Sequence, residues 1–100
     1  MEEQRIITIR VKYFAQMRDI TGRKEDVINL TKGSTVKDAL NELCKIFGDN
    51  MKRYLFKNGG QLREELQVLV NGLSIDSSNL CKKSLSNGDT LVIIPPVGGG

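Results

Sequence analysis

Histidine is absent from this chain. That removes the commonest metal ligand and the commonest general base, and with them any His-dependent triad or zinc site built by the chain alone. Tryptophan is absent as well, and aromatics make up only 5% of residues, so stacking platforms for single-stranded nucleic acid are scarce. The two cysteines, Cys44 and Cys81, form no C-x-x-C pair and are too few for an iron–sulfur cluster or a four-ligand zinc. They are expected to be free thiols in a reducing cytoplasm. No apolar run approaches the ~18 residues of a membrane span. The amino-terminal MEEQR is charged, so neither a membrane segment nor a signal peptide is expected. An excess of one charge sign is nearly lacking too: fifteen Lys and Arg against twelve Asp and Glu leave a formal +3. Basic residues such as Arg10, Lys12, Lys37, Lys52, Arg53, Lys82 and Lys83 are spread along the chain and interleave with acids. This pattern reads as solvated surface rather than a nucleic-acid footprint.

What remains is an ordinary globular composition, 39% hydrophobic and 27% charged over 100 residues, enough for one domain with one core. Ile7, Ile9, Val11 and Tyr13 alternate with Thr8, Arg10 and Lys12, which predicts a half-buried strand and puts Phe14 on its wet side or at the start of a helix. The segment AQMRDITG suits a short helix stopped at Gly22. KEDVINLT reads as a second strand with Ile28 and Leu30 inward. Ser34 or Thr35 then opens the clearest helix, whose stripe Val36, Ala39, Leu40, Leu43, Cys44 and Phe47 has helical spacing. Asp38 favours its first turn and Gly48 ends it, with Cys44 expected to be a packing thiol.

The stretch 49–65 predicts a turn or two of helix around Met51, Tyr54, Leu55 and Phe56, then a loop with a Gly59–Gly60 hinge. That glycine pair lacks the spacing of a phosphate-binding loop. LQVLV is a strand with Val68 and Val70 facing one way and Leu69 the other. Asn71-Gly72 is a strong hairpin signal, LSI a brief return strand, and residues 76–85 a connection anchored by Leu80 or Leu85. A final strand carries Leu91 and Ile93 inward and stops at Pro95-Pro96. Two nearly adjacent strands, one long helix and further strands point to an α+β fold. The expected architecture is a β-grasp, ubiquitin-like mixed sheet of about five strands on one main helix.

The end of the chain, NGDTLVIIPPVGGG, is the unusual part. Prolines hold such a segment extended, and glycines let a backbone enter a slot too narrow for any Cβ. A carboxylate at its tip can reach another protein's active site. It is a poor electrophile until activated, and no phosphate loop or catalytic histidine is present, so activation falls to a partner. Sulfur arriving at the activated carbon makes a thiocarboxylate; an amine makes an isopeptide.

The segments FAQMRDITG, TVKDALNEL, LVNG and NGDTLVIIPPVGGG, in this order, resemble the MoaD/ThiS family of ubiquitin-like sulfur carriers, and most of all its molybdopterin-synthase small subunits. The resemblance implies residues 1–94 as the domain and 95–100 as a flexible tail: Pro95, Pro96, Val97, Gly98 and the family's diglycine, Gly99 and Gly100. The adenylate and then the thiocarboxylate would form on Gly100. It implies an adenylating enzyme of the ubiquitin-activating type, which supplies the ATP chemistry, a sulfurtransferase, and the large catalytic subunit of molybdopterin synthase as sulfur acceptor. No cofactor bound by this chain, no nucleic acid and no membrane are expected. Conjugation to lysines as a protein modifier, or sulfur delivery to tRNA, would use the same tail.

For docking, Phe14, Leu69, Leu73, Val92 and Ile94 fall on outer-face or edge positions and would form an apolar patch leading to the tail. Alternatively they pack under the short helix or the 49–65 stretch. Arg18 could reach an acidic partner. The 50–65 segment is longer than a compact carrier needs and holds either a second docking surface or nothing.

Overall fold

The computed structural model describes residues 5–95. The first strand, β1 (Ile6–Lys12), turns through the short helix α1 (Gln16–Thr21) into β2 (Glu25–Thr31), which pairs antiparallel with it. Gly22 takes the left-handed conformation that closes α1, and its N–H returns to the carbonyl of Arg18. The expected alternation holds: Ile7, Ile9, Val11, Tyr13, Ile28 and Leu30 are buried.

The main helix, α2 (Val36–Phe47), starts at a reciprocal cap. The N–H of Asp38 donates to Oγ1 of Thr35 at 3.2 Å, and the N–H of Thr35 donates to Oδ2 of Asp38 at 2.9 Å. Such a box satisfies two donors that a helix end leaves free. Val36, Ala39, Leu40 and Leu43 are completely buried beneath the helix, while Cys44 is half-buried against the same core. Burial pushes the Cys44 thiol up, against the opposing pull of Lys52 and Lys37, as expected of a packing thiol.

A third helix, α3 (Asp49–Leu55), follows at once and buries Met51 and Leu55. The Gly59–Gly60 stretch departs from the open hinge expected of it. Phe56 and Leu62 bridge across it, and the N–H of Lys57 donates to the carbonyl of Gln61 at 2.9 Å. Phe56, Leu62 and Leu66 are buried, so apolar anchors on both sides draw this segment onto the core as a closed turn.

The strand β3 (Gln67–Val70) meets β4 (Leu73–Ile75) through Asn71 and Gly72, both at positive φ, the backbone that a two-residue hairpin with the right twist requires. Leu80 and Leu85 both anchor the connection that follows. It binds the start of α2: Val36 N–H donates to Lys83 O, Lys37 N–H to Leu80 O, and Leu85 N–H to Ser34 O. The last strand, β5 (Thr90–Ile94), runs parallel to β1 and antiparallel to β3, giving the order β2-β1-β5-β3-β4. Helices cover one face of this mixed sheet, which is the β-grasp arrangement. The last strand therefore ends, at Ile94, in the interior of the sheet rather than at its edge.

Candidate functional site at the end of the last strand

The register of β5 fixes what surrounds its carboxyl end. Val92 lies opposite Leu69 on one side and Lys12 on the other, and Ile94 lies opposite Gln67. Residues paired this way share a face. Leu91 and Ile93 point into the core, so Val92, Ile94 and Leu69 form a half-buried apolar row on the open face of the sheet. Phe14, two residues beyond Lys12, sits at the same end and is 38% exposed. Arg18 is held beside it: its Nε donates to the carbonyl of Tyr13 at 2.9 Å and its guanidinium lies 5.5 Å from the centre of the Phe14 ring.

Leu73 does not join this row. It lies opposite Val70, which points into the core, so Leu73 belongs to the helix-side face of the edge strand, where it is 71% exposed. Pro95 follows β5 directly. Pro96, Val97, Gly98, Gly99 and Gly100 lie outside the described residues.

Pro95 also borders an open groove of about 1330 Å³ that the sequence did not reveal. Arg18 of α1, Arg53 and Tyr54 of α3, and Arg63 and Glu65 of the following segment line it. Arg63 is braced by its Nε, which donates to the carbonyl of Arg53 at 3.0 Å, and its guanidinium faces Glu65 at 3.9 Å. The Tyr54 hydroxyl is buried without a hydrogen-bond partner among the described residues. Burial, and secondly the charge of Glu65, push its ionisation up. Ala15, another lining residue, has φ 51°, a left-handed backbone rare outside glycine. No sequence signal marks these residues, because four separate segments bring them together. Among the described residues, no three Cys, Asp or Glu side chains gather into a metal site. No helix among them is long and apolar enough to cross a membrane.

A main helix, α2, clasped by a mixed sheet with β5 at its centre defines a protein of the ubiquitin-like, β-grasp class. The chain belongs to the ThiS family, whose model matches residues 11–100. It is 27% identical over 92 residues to Small archaeal modifier protein 3 of Haloferax volcanii, covering 92% of this chain and 98% of the relative. The crystal structure of the archaeal modifier SAMP1 from the same organism superposes with a TM-score of 0.82 at 28% identity, covering 93% of this chain and 99% of that one. A putative molybdopterin converting factor, subunit 1, from Pyrococcus furiosus superposes with a TM-score of 0.73 at 29% identity, covering 91% and 99%.

Proposed function

We propose that this protein is a carrier loaded at Gly100, with residues 1–94 as the handle and 95–100 as the loadable tail. An adenylating partner of the ubiquitin-activating type supplies ATP. A carboxylate oxygen of Gly100 attacks the α-phosphate, pyrophosphate leaves, and the acyl carbon now carries AMP as a good leaving group. Sulfur at the sulfide level, supplied by a sulfurtransferase together with a thiol reductant, attacks the acyl carbon; the C–O bond to AMP breaks, AMP leaves, and a thiocarboxylate remains. That sulfur is then passed to a pterin precursor held by the large catalytic subunit of molybdopterin synthase.

The observation that carries this reading is the position of β5. Its end at Pro95 lies between the apolar row of Leu69, Val92 and Ile94 and the arginine-lined groove. A partner gripping that corner has both a hydrophobic face and a charged cleft to hold while the tail is in its active site. Phe14 and Arg18 extend the grip along α1. The pterin acceptor is supported by the likeness to the Pyrococcus furiosus protein, a putative molybdopterin converting factor, subunit 1. A second reading, attachment to lysine amines, is favoured by the likeness to the two Haloferax volcanii modifiers. Both readings share the adenylation step.

Intact-mass measurement after co-expression with an activating enzyme and a sulfur source tests the carrier. One oxygen of Gly100 exchanges for sulfur, and the mass rises by that difference. An unchanged mass in every pairing rejects loading. Higher-mass conjugates that vanish when Gly100 is deleted would assign the modifier role instead.

A further inference from the structure

A second groove lies on the other side of α3 and shares only Arg53 with the groove at the tail. Its volume is about 760 Å³. Lys37 and Lys45 come from α2, Lys52 and Arg53 from α3, and Lys57 from the turn that follows. No Asp or Glu lines it. In a chain with fifteen basic and twelve acidic residues, gathering five cations without a carboxylate in one concavity is a strong local asymmetry. The sequence shows these residues as dispersed; the packing of α3 against α2 brings them together.

We infer that this groove docks a carboxylate-rich segment of a protein partner, at a place separate from the tail. Two of the cations, Lys45 and Lys52, are exposed and have no ion pair among the described residues. Lys57 already holds one carboxylate at the rim, with Oε2 of Glu64 at 3.2 Å from its Nζ. That contact shows how an incoming acidic side chain can sit. The groove also contains Phe56 and the half-buried Cys44, which suit apolar side chains interspersed among acids. Asn41 and Asn58 at its walls can meet a peptide backbone.

Nucleic acid fits less well. The Nζ of Lys37 lies 5.0 Å from the centre of the Phe56 ring and donates to the carbonyl of Gly60 at 3.4 Å. The groove's one aromatic face is therefore covered by a cation and is not free to stack a base. The cations also converge on one short concavity instead of tracking along a strand. Four of the five are lysines, mobile point charges that accommodate carboxylates at variable spacing better than they grip one planar group. Because α3 separates the two grooves, a partner can hold the protein here while its tail is being loaded or discharged elsewhere.

The test uses the full chain and a labelled peptide of alternating glutamate and leucine. Fluorescence anisotropy should show saturable binding that weakens with salt. Amide shifts should concentrate at Lys37, Asn41, Lys45, Lys52 and Lys57. Exchanging both free lysines, K45E with K52E, should lower affinity by about tenfold or more, while K12E on the opposite sheet face should not. The neutral pair K45Q with K52Q serves if charge reversal perturbs folding. Deleting Gly98 to Gly100 should leave peptide binding intact, so this docking stands or falls separately from tail loading. No binding of the peptide, or binding indifferent to both lysine pairs, overturns the inference. Tighter binding of an oligonucleotide of equal charge would assign the groove to nucleic acid and overturn it equally. Displacement of the peptide by stoichiometric tripolyphosphate would make it a small-anion site and do the same.

Discussion

The Tyr13 hydroxyl donates a 2.9 Å hydrogen bond to Oδ2 of Asp26, joining the end of β1 to the start of β2. Tyr13 is completely buried, and its ring meets Phe47 of α2 edge-on at 6.0 Å. Asp26 is also held from outside by Arg23, 2.7 Å away. One side chain thus ties the first hairpin to the main helix. Burial first, then the bond to Asp26 and its charge, hold the phenol protonated far above its usual range, with Arg23 opposing.

A folded state that keeps this phenol protonated is stabilised fully below the ordinary tyrosine pKa of about 10 and loses that stability as pH rises above it. Thermal melts should therefore fall steeply in alkali. Tyr13→Phe should cost about 1 to 3 kcal/mol at neutral pH, the worth of a hydrogen bond to a charged group, and should flatten the alkaline slope. An unaltered slope in the variant would place the pH sensitivity elsewhere.

Tyr54 presents the opposite case. Its hydroxyl is buried and unpaired among the described residues, at the wall of the groove beside Pro95. Leaving a polar atom unsatisfied costs about 1 to 3 kcal/mol, so Tyr54→Phe should be neutral or raise the melting temperature. Denaturant titration reads this directly. A loss of more than about 1 kcal/mol would mean that the hydroxyl has a partner in solution.

Much of this architecture is legible in the sequence because burial imposes its own period. Ile7 to Tyr13 alternate because one face of β1 is in the core, and Val36 to Leu43 recur helically because α2 lies across the sheet. Asn71-Gly72 announces its turn because positive φ is open to few residues. The candidate site is less legible. Leu69 and Leu73 look alike on the chain, yet the tight turn between them puts one on the open face and the other beside Val70 on the helix side. The two grooves are tertiary: Arg18, Arg53 and Arg63 meet only when three segments pack, and the same holds for Lys45, Lys52 and Lys57. Charged surface residues carry no periodicity that would disclose such meetings.

That difference between the two leucines supplies a control for docking. Leu69→Ser, on the open face, and Phe14→Ser, at the same end of the sheet, should each lower kcat/KM for adenylation by about tenfold, as loss of an apolar anchor does at an interface. Leu73→Ser, on the other face, should leave it unchanged. Pyrophosphate release by the activating enzyme measures all three. Equal effects from Leu69→Ser and Leu73→Ser would argue against docking through the open face.

The tail itself is tested by Gly99→Val. The buried core of the described chain ends at Ile93, so a substitution at residue 99 should leave the melting temperature where it was. Loading should fail nonetheless, because a branched Cβ occupies width that a glycine thread leaves free, and β-branching also stiffens the backbone it must thread. Gly99→Ala adds a single methyl and should fall between the two. Intact mass after incubation with the activating enzyme and sulfur source separates these outcomes. Normal loading of the valine variant would show that the partner's slot tolerates side chains at this position, and the tail's glycines would then need another explanation.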